Sequence, residues 1–156
     1  MRAGRRGQAG FTYIWLLAAL AVLGLFLAVV GPMWATQVQR ERETELLRVG
    51  AAYAQAIEHY YAMAPGGVKT MPTRIDDLLL DPRFATPVRH LRAAYPDPID
   101  PAHDLEPIVG GGGQLLGVHS TSDAEPLRRV EWTDGRHVIA PAAHYKDWQF
   151  LARTTP

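Results

Sequence analysis

Between Phe11 and Ala35 lie twenty-five consecutive residues without a charge, rich in Leu, Ala and Val. A helix rising 1.5 Å per residue over that run reaches roughly 38 Å, enough to cross a hydrocarbon core of about 30 Å. Burying such a helix on every side would take a large chain, and 156 residues provide only one domain beyond it. A cleaved secretory signal fits less well, although Arg2, Arg5 and Arg6 form a basic leader. Its apolar region ordinarily covers about 7 to 15 residues and ends in a small-x-small site, where this chain has Pro32, Met33 and Trp34. The reading for 11–35 is a single transmembrane helix.

Orientation is less sharply specified, because Arg40, Arg42 and Arg48 follow the run and match the three leading arginines. The leading cations lack acidic neighbours, and a long tail translocates largely regardless of its charge, so the N-terminus is placed inside. Lys plus Arg balances Asp plus Glu at 16 each, which leaves no overall basic field to draw the chain to nucleic acid. Cysteine is absent, which removes disulfides, thiolate chemistry and zinc–thiolate sites but fits either redox compartment.

Gly10-Phe11-Thr12-Tyr13-Ile14, between the basic leader and the apolar run, resembles the class III signal of type IV pilins and type II secretion pseudopilins. The resemblance implies cleavage between Gly10 and Phe11 by a prepilin peptidase and N-methylation of Phe11, with the helix kept as an anchor. A glycine before the bond leaves it least hindered. Gly24 and Pro32 stand where pilin helices tend to carry a glycine and a proline, and both residue types weaken a helix. A bend or local melting between them is therefore expected, although glycine and proline are also ordinary in transmembrane helices. Trp15 departs from the family, which usually has a glutamate at the fifth mature position to pair with a neighbour's N-terminal amine. Its presence speaks against a major repeating subunit and for a minor or tip position.

Beyond Ala35 no helix breaker occurs before Pro65, and Leu46, Val49, Tyr53, Ala56, Tyr60 and Met63 form one apolar stripe at steps of three and four. The helix is expected to continue to about residue 64 and to pack on a sheet in its own chain. From Pro65-Gly66-Gly67 onward prolines and glycines are frequent. Thr73 is expected to cap a short helix over 74–80, and 83–95 to hold another helical turn. Strands are expected at 105–109 and 115–120, joined by Gly110 to Gly113, and at 148–151, with weaker candidates at 130–132 and 137–139. The fold class is therefore α+β: a long N-terminal helix packed on a small antiparallel sheet, which is the layout of pilin-like proteins. The resulting map is leader 1–10, transmembrane helix 11–35, amphipathic continuation 36–64 and globular domain 65–156.

Candidates for chemistry are thin. Gly110 to Gly113 lacks the Gly-Lys-Ser/Thr of a phosphate loop. His59, His90, His103, His119, His137 and His144 show no metal-ligand spacing such as i, i+4 on a helix. Ser120 and Ser122 lie near His119 without a nucleophile elbow, and Asp76-Asp77 reads as a solvated helix face. No enzyme is supported. The resemblance makes calcium worth weighing, because major pseudopilins often bind it late in the domain. Asp123 and Glu125 are the candidates here, but the family loop's glycines and further acids are missing, so a polar turn is the preferred reading.

The resemblance implies an assembly subunit of a type II secretion pseudopilus or type IV pilus-like machine. It would sit in the inner membrane with its C-terminal domain in the periplasm. Its partners would be other pilin or pseudopilin subunits, the prepilin peptidase and an inner-membrane assembly platform. The alternative is a standalone membrane-tethered periplasmic binding module that does not polymerise.

Overall fold

The computed structural model describes residues 9–153, apart from the side chains at 9, 10 and 28–33. The chain divides into two units, 1–39 and 40–156. Helix α1 runs Ala9–Ala62, so it supplies the described part of the first unit and the opening element of the second. The leader arginines Arg2, Arg5 and Arg6, and the side chain of Pro32 on which the expected bend rests, lie outside the described residues.

In the second unit, α1 presents Leu46, Val49, Tyr53, Ala56, Ile57 and Tyr60 to the core, each at most 4% exposed. The i, i+3, i+4 spacing of these positions makes them one stripe. The stripe stops one residue short of the expected set: Met63 is 42% exposed, because α1 ends at Ala62. The chain then turns through a 3-10 segment, Pro65–Gly67, in which Gly66 and Gly67 take φ of 71° and 78°. Those left-handed values carry no Cβ penalty in glycine.

Facing the stripe is a three-stranded antiparallel sheet in the order β1-β2-β5. Its strands are β1 Glu106–Val109, β2 Leu115–His119 and β5 Gln149–Leu151. The expected hairpin at 110–113 joins β1 to β2, closed by Gly110 N–H donating to Gln114 O and Gly113 N–H to Gly110 O. A separate two-stranded ribbon pairs β3 Trp132–Thr133 with β4 Val138–Ile139. These strands fall close to where the sequence placed them, with ends that differ by a residue or two. The molecule is thus α+β with a long N-terminal helix and a small antiparallel sheet.

Two local expectations fail. The short helix, α2 Asp76–Leu79, is not capped by Thr73: its N-cap is Ile75, with no side-chain cap. Instead the Asp77 carboxylate reaches back and accepts from Thr73 N–H, Thr73 Oγ1–H and Arg74 N–H at 2.9–3.1 Å. Asp77 therefore organises the turn and is not simply a solvated acid. The second failure is at 83–95, which forms no helical turn. Its backbone groups bond elsewhere, with Asp81 N–H donating to Val88 O and both His90 N–H and Leu91 N–H to Leu78 O. Pro87 opposes helical geometry in its predecessor.

Helix and sheet approach closely at Gly50, where an added Cβ would sit 2.3 Å from the Phe150 ring. Phe150 is fully buried and central to the core, so it cannot swing aside. Gly50→Ala is expected to destabilise the second unit by about 1–3 kcal/mol or more through overpacking. Urea unfolding of the full chain in detergent, followed by tryptophan fluorescence, checks this; an unchanged midpoint would contradict it.

Candidate functional site

From Phe11 to Leu27 the described surface of α1 carries no charge, and large apolar side chains project from it on every side. Phe11, Trp15, Leu16, Leu20, Leu23, Phe26 and their neighbours are about half to 70% exposed. Nothing in the described chain covers them. On one face Trp15, Ala18, Ala19, Val22, Leu23 and Phe26 line an apolar hollow of about 590 Å³, with the alanines as its floor at helical spacing. Apolar patches beyond a few hundred Å² on a protein surface mark contact with lipid or protein. Among the described residues no helix is long and apolar enough to cross a membrane; the described side chains of the apolar run stop at Leu27 and resume at Trp34.

The residues singled out for processing and assembly fall on this helix. Gly10 and Phe11 lie at the described start of α1. Gly24 has open space around it, so a side chain there would meet nothing within 4 Å. Its lack of a side chain is not demanded by any contact in the described chain. Trp15 is 64% exposed.

Asp123 and Glu125 are not brought together. The Asp123 carboxylate pairs with Lys146 Nζ at 2.5 Å, and that ammonium holds its pKa below the usual carboxylate range. Glu125 pairs with Arg129 at 3.4 Å. Among the described residues no group of three or more His, Asp or Glu side chains could hold a metal ion. Ser120 is buried and donates through Oγ to Asp97 at 2.5 Å, while His119 Nδ1 donates to the Ser120 backbone carbonyl, so no serine–histidine pair forms there. Asp97, fully buried, also accepts from Ile99 N–H and Thr121 N–H, and it locks the Pro96-Asp97-Pro98 segment against the end of β2.

Sequence reasoning missed two polar clusters that hold loops onto α1. In the first, Asp81 accepts from Arg83 and His90, with Arg83 Nη2 to Asp81 Oδ2 at 2.6 Å and His90 Nε2 to the same oxygen at 2.9 Å. Arg83 also donates to Tyr60 O at 2.7 Å and lies 3.5 Å over the Tyr60 ring, which ties the loop to the end of α1. In the second, buried His137 has each ring nitrogen against a carboxylate: Nε2 to Glu58 at 3.0 Å and Nδ1 to Asp134 at 3.1 Å. The local signals are two Asx-turn spacings: Asp81 Oδ1 accepts Arg83 N–H, and Asp134 Oδ1 accepts Arg136 N–H. The contacts to α1 span too many residues to be read from spacing.

Burial alone would raise the Asp81 carboxyl, but hydrogen bonds from Arg83 and His90 outweigh it and hold its pKa at about 2. A folded value below the unfolded value of about 3.9 stabilises the protein above pH ~4, and this contribution is lost as pH falls towards 2. Wild type is therefore expected to lose on the order of 2 kcal/mol more than Asp81→Asn over that window. Urea titrations at stepped pH measure it; parallel acid profiles for the two proteins would contradict it.

The chain matches no protein-family model, and comparisons with curated proteins and with solved structures likewise found no match.

Proposed function

We propose that this chain is a pseudopilin-like or minor-pilin-like subunit, cut between Gly10 and Phe11 and anchored in the inner membrane by 11–35, with residues 40–156 in the periplasm. The observation that carries the reading is the charge-free run that begins at the Gly10-Phe11 junction. Its described side chains project outward from α1 with no cover in the described chain. An apolar helix of that kind is stable in lipid or against other apolar helices, because water would have to hydrate its whole circumference.

The α+β layout beyond residue 40 is compatible with this role: one face of α1 is consumed by the sheet, and charged side chains are spread over the loops that follow it. The protein acts by assembly. The apolar helix packs laterally in a bundle of related helices, and the globular unit displays a surface to neighbours or cargo. Trp15 at the fifth mature position bears on rank within such an assembly. It has no carboxylate to pair with an incoming N-terminal amine, and a buried carboxylate needs such a partner. A minor subunit, or one at a tip with no upstream neighbour to match, does not require that device.

The absence of native cysteine makes the topology directly testable. Ala85→Cys, at an exposed loop position, is expected to react with a membrane-impermeant maleimide in intact spheroplasts, with the protein resisting alkaline extraction from membranes. Ala3→Cys, in the leader, is expected to react only in uncut precursor after permeabilisation. Extraction into the soluble fraction, or labelling of Ala3→Cys from outside, would overturn the reading.

A further inference from the structure

In the second unit a groove of about 540 Å³ runs beside α1, from Ala52 to Ala62, against the segment around Leu91 and the β3–β4 turn. Ala52, Ala56 and Leu91 make its floor apolar, and Arg92 and Arg136, both exposed, add two cations to its lining. Glu58, the carboxylate that lines it among the described residues, is already engaged: its Oε1 accepts from His137 Nε2 at 3.0 Å and from Arg153 N–H at 2.8 Å. The lining therefore carries two arginines against one carboxylate, and that carboxylate is turned to His137 and Arg153.

His90 supplies an independent observation. The residue borders this groove, and its side chain is buried beneath the surface with Nε2 committed to Asp81 at 2.9 Å. Nδ1 is buried without a hydrogen-bond partner. A buried polar atom left unpaired costs stability, and natural structures rarely tolerate one without a use. The same chain shows how it completes such a ring: His137 has a carboxylate on each nitrogen. His90 has one of the two. The neighbouring His59 ring, edge-on at 5.8 Å and on the exposed side of α1, can turn aside to admit a ligand.

We propose that this groove binds an acidic segment of a partner polypeptide, with a carboxylate held by Arg92, Arg136 and His90 Nδ1 and apolar side chains on the alanine floor. The chemistry favours a peptide over a small free acid on two grounds. The span of α1 from Ala52 to Ala62 gives the groove about 15 Å of length, and a lone carboxylate would leave the apolar floor unused. Charge-assisted contacts from arginine give both strength and orientation. The inference stands on the second unit alone and goes beyond the anchoring role, so it holds or fails independently of it.

Full-length protein in lipid nanodiscs is panned against a random peptide library, and selected peptides are measured by fluorescence anisotropy. Peptides with Asp or Glu beside Leu, Ile or Val are expected to be enriched. Replacing their acids by Asn or Gln is expected to weaken binding about tenfold per charge. Arg92→Glu with Arg136→Glu, at exposed positions, is expected to weaken it as much while leaving the circular dichroism unchanged. His90→Gln, which keeps a donor for Asp81, is expected to cost several-fold, and succinate is expected to compete only at far higher concentration. The proposal is overturned if no peptide is enriched, if selected peptides lack acids, or if the double arginine variant binds them equally. It is also overturned if succinate competes as well as the peptides, which would make the groove a small-carboxylate site.

Discussion

Three strands of four, five and three residues cannot make a core by themselves, so the folded part of residues 40–153 depends on the apolar face that α1 lends to it. Leu46, Tyr53, Ile57 and Tyr60 supply one wall, and Leu115, Val118, Trp148 and Phe150 supply the other. The fit at their centre is close enough that position 50 has room for no side chain. Burial of large side chains at this helix–sheet contact contributes about 1.5–3 kcal/mol each, before the entropy of ordering the chain is subtracted. The loops, which hold more of the chain than the strands do, gain order only because this contact exists to dock against.

Polar groups on α1 then fix where those loops go. Glu43, buried on α1, accepts the Arg128 backbone N–H across 85 residues of sequence. Glu58 does the same for Arg153 and also receives the His137 ring. Both carboxylates are placed where a helix side chain satisfies backbone donors that the short sheet cannot. An irregular segment can be buried only if its backbone groups find partners, and here helix side chains supply some of them. The Asp81–Arg83–His90 cluster repeats the device at the far end of α1, with the Tyr60 carbonyl as the helical contact.

What could be read from the sequence follows from the range of the interactions involved. The apolar stripe from Leu46 to Tyr60 has a helical period that no other structure satisfies, and the glycine run between two apolar strands specifies a hairpin, so both were legible. Thr73 misled because a capping residue and a residue held by a downstream Asp77 look alike in sequence. The segment 83–95 misled because its backbone hydrogen bonds run to Leu78 of α2 and to Asp81, and not within itself. Of the candidate residues, Gly10 and Phe11 stand out at the boundary between charge and apolar run, a one-dimensional signal, whereas Gly24, Pro32 and Trp15 are singled out only by the resemblance to pilin helices. Asp123 and Glu125 were legible as acids, but their pairing with Lys146 and Arg129 was not. The groove beside Arg92 and Arg136 joins three distant segments and left no mark in local spacing.

Helix α1 thus has one half that folds a domain onto itself and another half whose apolar side chains find no cover in the described chain. In the proposed account the uncovered half is held by lipid or like helices, and it begins at a glycine–phenylalanine junction behind three arginines. The N-terminal peptide mass of protein isolated from its native cells, with and without the prepilin peptidase, tests that account most directly. A chain that begins at N-methylated Phe11 only when the peptidase is present is the predicted result; an intact leader from Met1 in both would contradict it.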